Sequence, residues 1–458
     1  SQFIGESILL AFFAGLIAIL IVQLSLSGFN QLTDKNLYIP FASPLFWLSA
    51  VGFILFTGFL AGSYPAFFLS SFQPVKVLKG TFKKANALVT PRKILVVLQF
   101  TFAIILIICT IIVKQQIDYA RDRQSGYDRN NLIYIYLSDN IEKNYVIIRN
   151  ELLQTGAASY VTKTSAPLTQ SWSDGWGQEW EGKDPNDKTD FRRYNEDGDL
   201  GKTAGLKFII GRDIDTQKYP TDSLAIILNE SAWKIMKFKN PLGQLVKDNG
   251  QQWHVIGVIK DFILESPYEP TKPMIIYGPK NWFNIIQMKL NSQNGTAQNL
   301  KTIENIVKKY DPSYLFNYNF VDKDYAAKFE DEQRTGILAG LFAGLTIFIS
   351  CLGLFGLATY MAEARIKEIG VRKVLGASVA SITGLLSKDF VKLVMISILI
   401  ASPIAWLAMH KWLQGYSYRI NISILVFVAS GCLAITIALL TVSFQAVKAA
   451  IASPAKSL

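Results

Sequence analysis

The chain has 458 residues, half of them hydrophobic and 18% charged, with a mean hydropathy of +0.25, which is the composition of an integral membrane protein. Its formal net charge is +11, yet residues 118–333 hold 27 Lys and Arg against 30 Asp and Glu, so the basic excess lies entirely in the apolar remainder. This excludes a nucleic-acid reading of the high pI, because the one large polar block is mildly acidic.

Six segments are long and apolar enough to cross a bilayer: 3–24, 45–69, 94–113, 335–360, 389–409 and 422–444. Each comes near the ~20 residues with which a helix spans about 30 Å. The connector 70–93 carries Lys76, Lys79, Lys83, Lys84, Arg92 and Lys93 without an acidic residue, and a second basic cluster runs from Arg365 to Lys373. The positive-inside rule puts both connectors in the cytoplasm, together with residue 1 and the tail after 445, and the block 118–333 outside. The expected fold class is membrane α-helical, with six predicted transmembrane helices and an inserted α+β extracytoplasmic domain. Cys109, Cys351 and Cys432 all fall within predicted spans, so the outer block has no disulfide to offer.

Self-comparison shows an internal repeat. Residues 63–78 lie over 443–458, matching Ser63 with Ser443, Pro74 with Pro454, Lys76 with Lys456 and Leu78 with Leu458. Further back, Phe3 to Leu20 fits Phe390 to Leu407, with a difference in loop length between the two matched stretches. The expected organisation is therefore four-part. Residues 1–90 are the last two helices of a first repeat with its basic connector, and 91–117 the first helix of a second. Residues 118–333 are the outer domain, and 334–458 a closing unit of three helices around the connector 361–388. On this reading another charged connector should precede Ser1, and the chain is N-terminally incomplete.

Within the spans the signals concern packing. Gly336, Gly340 and Gly344 recur every four residues, the small-xxx-small pattern that lets helix backbones approach, either within the chain or in a dimer. Pro403 interrupts its span, and Gln99 sits close enough to a span end to be tolerated without a transport role.

In 118–333 strands are expected at Leu132–Leu137, Leu224–Leu228, Trp253–Ile259, Met274–Tyr277, Ile285–Leu290 and Phe316–Phe320. Helices are expected at Tyr145–Leu153, Ser231–Met236 with Asn229 as N-cap, and Asn299–Lys309, and a turn at Asp248-Asn-Gly250. These elements make an α+β domain of two lobes. No catalytic set emerges. Gly201-Lys-Thr203 resembles the end of a phosphate loop, but Glu196, Asp197 and Asp199 crowd it with charge of the wrong sign, and a solvated turn is the better reading. His254 and His410 have no partner at metal-ligand spacing, so His254 reads as a strand histidine. Asn229 and Asn294 begin glycosylation sequons too short to weigh alone. Trp172, Trp176 and Trp180 would share a face if extended, packing between strands or holding a sugar or peptide.

The densest feature is the charged island 361–378, which carries Arg365, Lys367, Glu368, Arg372 and Lys373 with apolar residues interleaved at helical spacing. A helix leaving the membrane can run to about Ile369. Gly370 and Gly376 then weaken helicity, and Ser378 can cap a second, short helix over 379–386. Ile366, Ile369, Val371, Val374 and Leu375 would be costly to expose together; they can dock in a partner's groove or lie on lipid headgroups.

Arg365-Ile-Lys-Glu-Ile-Gly-Val-Arg-Lys-Val-Leu-Gly-Ala-Ser378 resembles the signature of the MacB/FtsX-like permeases of ATP-binding-cassette transporters, and in particular the duplicated permeases of Bacteroidetes-type bacteria. The likeness extends to Gly353-Leu-Phe-Gly-Leu357, Ser387-Lys-Asp-Phe390, Pro403-Ile-Ala-Trp406 and Trp412-Leu-Gln-Gly-Tyr-Ser-Tyr-Arg-Ile420. In the outer block, Ile227-Leu-Asn-Glu-Ser231 and Val255-Ile-Gly-Val-Ile-Lys-Asp-Phe262 look like that family's extracytoplasmic domain.

The resemblance implies a permease of the bacterial inner membrane with a periplasmic core domain and no ATPase of its own. Residues 361–388 would be a coupling helix on a separate nucleotide-binding subunit, touching it through Arg365, Lys367, Glu368, Ile369, Gly370, Arg372, Lys373, Leu375, Gly376, Ala377 and Ser378. ATP-Mg would be bound in that subunit, with no cofactor, metal or nucleic acid on this chain. Such a permease works as a homodimer or heterodimer, with membrane lipid around it and a periplasmic adaptor or outer-membrane channel as further partners. It drives efflux or extraction of a substrate by mechanotransmission. Rival readings are a cell-division-type regulator of cell-wall hydrolases, which the internal repeat disfavours, and a membrane signalling or sensor protein, for which no output domain follows residue 334. A membrane-anchored enzyme would need a convergent catalytic set.

Overall fold

The computed structural model describes residues 2–70, 85–365, 371–372 and 375–451. Internal contacts divide the chain into two units, one of residues 1–110, 334–405 and 424–458, the other of 111–333 together with 406–423. The second unit thus takes in more than the block 118–333 defined by composition.

Among the described residues there are six long helices: α1 (Gln2–Thr33), α2 (Pro44–Ser70), α3 (Ala85–Asp122), α4 (Glu330–Ala364), α5 (Val379–Leu413) and α6 (Ile424–Ile451). Each contains a stretch long and apolar enough to cross a membrane. In the first unit α3 is the most enclosed, with Val96, Phe100, Ile104 and Ile108 buried. Ser397 Oγ donates to the Val97 carbonyl at 3.0 Å and so fastens α5 to it. Gln99 of α3 occupies the space over Gly353 of α4, where a Cβ would stand 2.6 Å from its Oε1. On α6 Val426, Ser430, Ala434, Ala438 and Val442 are buried at every fourth position, a stripe of mostly small side chains that suits close helix packing.

α1 and α2 pack through glycine. A Cβ on Gly58 would lie 2.7 Å from Ile8 Cα, and one on Gly62 2.9 Å from Ile4 Cα, so backbone meets backbone there. The expected glycine seam at 336–344 is much looser. Gly340 faces Thr110 at an ordinary 3.7 Å, and Gly344 has nothing within 4 Å.

Two sequence expectations need correction. The helix leaving the fourth apolar stretch ends at Ala364, short of Ile369. No separate helix covers 379–386 either: α5 runs unbroken from Val379 through Pro403 to Leu413. The residues between 386 and 389 contain no breaker, so nothing stops the first turns from propagating into the span. The repeat is also adjusted differently. The connecting segments 34–43 and 414–423 are equal in length, and the offset is absorbed by α1, which ends at Thr33. The matched tails 71–78 and 452–458 lie outside the described residues.

The second unit is built on two sheets. The first, antiparallel in the order β12-β1-β11-β2, joins β1 (Leu132–Tyr136), β2 (Ala158–Thr164), β11 (Ile285–Leu290) and β12 (Tyr318–Phe320). Helices Tyr145–Gln154 and Thr296–Tyr310 cover one face, where Ile133, Ile148, Val161, Met288 and Ile303 form the core. The second sheet contains β3 (Asp174–Gly175), β4 (Glu179–Trp180), β5 (Phe191–Asn195), β6 (Phe208–Gly211), β7 (Ala225–Asn229), β8 (Leu245–Asp248), β9 (Gln251–Ile259) and β10 (Met274–Tyr277). It is mixed: β5 with β10 and β7 with β9 are parallel pairs. β7 and β10 are buried along their whole length, which explains their uninterrupted apolar sequences. Asn249 and Gly250, both at positive φ, form the expected tight turn between β8 and β9.

Asn229 caps the helix Glu230–Met236 as its sequence position requires. Its Oδ1 accepts from Ala232 N at 2.9 Å and Met274 N at 2.8 Å, and its Nδ2 donates to the Lys272 carbonyl at 2.9 Å. An amide buried to this degree serves the fold and is closed to glycosylation. Asn229→Ala should cost about 3 kcal/mol, since it leaves two donors and a carbonyl unpaired in the interior. The check is denaturant unfolding followed by tryptophan fluorescence, and wild-type stability in the variant would refute the assignment.

Candidate functional site

The connector is held from its two ends. Arg365, in the turn after α4, forms an ion pair with Asp389 of α5 at 3.0 Å, both side chains about one-third exposed. Ser378 Oγ accepts from Ser381 N at 3.2 Å, the N-cap expected for the helix that follows. Between them Leu375 N donates to the Val371 carbonyl at 3.0 Å, and Ala377 N to that of Arg372 at 2.9 Å. Gly376 then reverses the chain at φ +89, a conformation natural to glycine. The result is a tight, capped bend with Val371 50% and Leu375 81% exposed. Arg372 and Ser378 are exposed beside them and Ala377 is half-buried. Lys367, Glu368, Ile369, Gly370 and Lys373 lie outside the described residues.

In the second unit the two sheets meet along a polar seam. The end of β5 and the residue after it reach across the seam, as Glu196 bridges Thr164 and Ser165 N donates to the Asn195 carbonyl at 3.1 Å. Gln287 Nε2 donates to Thr164 Oγ1 and Tyr194 Oη, each at 2.8 Å. Glu196 is fully buried; its Oε2 accepts from Leu200 N at 3.1 Å, while Oε1 finds no donor among the described residues. Asp213 lies against it, accepting from Gly201 N at 2.8 Å and Ile214 N at 3.0 Å. Burial first, and the neighbouring Asp213 second, push the Glu196 carboxyl well above the usual range; burial also raises Asp213. Gly201-Lys-Thr203 therefore serves the fold: its Gly201 amide steadies a carboxylate, and Lys202 pairs with Asp199 at 2.7 Å.

Just before α4 begins, Lys328 Nζ donates to the carbonyls of Thr169 (2.5 Å), Leu264 (2.9 Å) and Glu265 (2.5 Å). Desolvation lowers this ammonium to about 8. Three loops are thus gathered at the root of a long helix, by a lysine that sequence alone would read as solvated. The tryptophans do not share a face. Trp180 packs on Phe191 in the core, whereas Trp176 is exposed and Trp172 stacks parallel to Tyr136 on the surface. His254 sits in β9 as expected.

The model of the FtsX-like permease C-terminal family matches residues 340–454, which cover the connector and the helices on both sides of it. Residues of the chain are 27% identical over 187 positions to the macrolide export ATP-binding/permease protein MacB of Aggregatibacter actinomycetemcomitans, covering 38% of this chain and 28% of that one. They are 26% identical over 191 positions to the ABC transporter permease YknZ of Bacillus subtilis, covering 38% and 46%. The chain thus spans less than half the length of either relative. Among solved structures, the periplasmic region of MacB from Actinobacillus actinomycetemcomitans aligns over 45% of this chain and 96% of that one at 18% identity and a TM-score of 0.33.

Several helices long and apolar enough to cross a membrane, six of them among the described residues, together with a mixed-sheet domain inserted in sequence between the third and fourth, fit a multi-pass membrane protein with an extracellular domain. Within that class the chain is similar to the MacB/FtsX-like permeases of ABC transporters, its residues 340–454 matching the FtsX-like permease C-terminal family.

Proposed function

We propose that this chain is a transporter permease that couples ATP hydrolysis by a separate nucleotide-binding subunit to motion of its extracellular domain, and so drives efflux or extraction of a substrate at the outer face of the inner membrane. The observation that carries the reading is the bend 371–378. It offers Val371 and Leu375 to a partner while the Arg365–Asp389 ion pair and the Ser378 cap fasten it to two rigid helices. A push on such a bend is delivered to α4 and α5 instead of being absorbed, because a packed helix transmits displacement along its length. The coupling surface is Arg365 through Ser378, with Lys367, Glu368, Ile369, Gly370 and Lys373 completing it. ATP-Mg belongs to the partner subunit. The permease works as a pair, with an adaptor or outer channel as further partners.

Co-purification of the cognate ATPase should fall at least tenfold on combined charge reversal of Arg372 and Lys373, or on Leu375→Asp, a loss of the size expected for one central contact of about 1.4 kcal/mol or more. Each variant should keep the thermal unfolding profile of the unmodified permease. Undiminished association would sink the coupling assignment.

A further inference from the structure

The outer loop between α5 and α6 is bound to the foot of α3 in a way that neither the family match nor the repeat accounts for. Gln116 lies in a buried apolar stretch of α3, between Val113 and Ile117, and is itself 1% exposed. A primary amide there is costly unless both its ends are used. Both are: Nε2 donates to the Tyr418 carbonyl at 2.8 Å, and Oε1 accepts from Ile420 N at 3.0 Å. Seven residues on, just past the end of α3, the Arg123 guanidinium lies 3.5 Å from the centre of the Tyr418 ring and donates to the Pro267 carbonyl. From the domain side, the Tyr268 carbonyl accepts from Ser417 N at 3.1 Å, and the Tyr268 ring meets Tyr416 and Phe329 edge-on at 5.0 and 5.9 Å. The helix, the domain loop 266–268 and the loop 414–423 are thereby one piece. The counterpart loop 34–43 is closed differently, by Asn30 of its own helix, whose amide holds Leu37 N at 3.0 Å and the Leu37 carbonyl at 2.8 Å.

We propose that Gln116 is the positioning residue of an outer coupling joint, through which the α5–α6 helix pair and the extracellular domain move together. This rests on the transporter reading above. The amide addresses backbone atoms two residues apart, so it fixes where the loop is rather than which side chains it carries. Arg123 and Tyr268 secure the same loop from two further directions, so the joint resists rotation as well as separation. If the bend at 371–378 is the input, this joint carries the displacement of α5 and α6 into the domain on the far side.

The test is hydrogen exchange on the full chain with its co-purified ATPase in nanodiscs, with and without ATP-Mg. In Gln116→Leu, a near-isosteric change, exchange at 417–420 should rise on the order of tenfold, the fold-change expected for one lost hydrogen bond. Strands β7 and β9 should stay protected. The ATP-dependent exchange change in the extracellular domain should disappear while ATPase association persists. Tyr418→Phe keeps the ring under Arg123 and should behave as wild type; Arg123→Leu attacks the joint from the surface and should reproduce the uncoupling if Gln116→Leu fails to fold. A loosened loop with the ATP response intact, or a loop unchanged by Gln116→Leu, overturns the joint alone. An ATP response missing from the wild-type domain overturns the transporter reading and the joint together.

Discussion

Glu196→Gln should remove a large part of the pH dependence of the extracellular domain's stability. In the wild-type protein the folded state binds a proton at the Glu196–Asp213 contact that the unfolded chain releases at the ordinary carboxyl pKa, about 4.3. A folded pKa above the unfolded one gives stability that is present in full at low pH and lost as pH climbs towards the raised value. The slope for a single proton is about 1.4 kcal/mol per pH unit, worth roughly 3 °C in melting temperature per kcal/mol for a domain of this size. The wild-type domain should accordingly melt higher at about pH 5 than at about pH 8, within the range where such linkage is normally measured.

The reason is geometric. Two carboxylates in contact cannot both ionise in a buried seam, and the nearby cations Arg149 and Lys202 are engaged by Asp199, each at 2.7 Å. A proton on Glu196 Oε1 turns an atom without a donor into a donor towards Asp213. Glutamine supplies that donor at every pH, so its melting temperature should be flatter and, at the alkaline end, higher than wild type. Asp197, also raised by burial, leaves a residual slope in both proteins. Equal slopes in wild type and Glu196→Gln, measured by thermal unfolding of the whole chain, would refute the shared proton.

Leucine at Gly58 should separate α1 from α2. The Cβ alone would enter within 2.7 Å of the Ile8 backbone, and a backbone atom cannot swing aside as a side-chain tip does. Overpacking of this kind costs about 1–3 kcal/mol or more. In lipid no gain in apolar burial offsets it, because the tails are as apolar as the side chain. Gly52 of the same helix, with nothing within 4 Å, is the control. Gly58→Leu should lower the midpoint of thermal inactivation in detergent clearly below that of Gly52→Leu, and equal midpoints would show that the α1–α2 approach is not tight.

The sequence carried the membrane architecture well because its signal is local. A run of apolar residues crosses a bilayer by its own length, and strands such as β1, β7, β9, β10 and β11 announce themselves by β-branched and aromatic composition, whereas the shorter or more polar β2 to β6 and β8 carried no expectation. Met274–Tyr277 and Ile285–Leu290 are found with the expected bounds, and Asn229 caps its helix. At the connector, Ser378 and Gly376 were legible for the same reason, since capping and positive φ are properties of one or two residues. The glycines were only half legible. The four-residue spacing at 336–344 and at 58–62 is the same pattern, and which pair of helices closes on it depends on what stands opposite.

What the amino-acid order determined by itself is the class of the protein, the insertion of an α+β domain between membrane-length helices, and the place of a capped, partly apolar bend. Tertiary structure alone decided the rest. Glu196, Gln116 and Lys328 look like ordinary surface residues when read along the chain, and acquire their character from segments far away in sequence: Asp213, the loop 417–420, and the carbonyls of 169, 264 and 265. Burial and hydrogen-bond partnership are long-range quantities, and no local pattern encodes them.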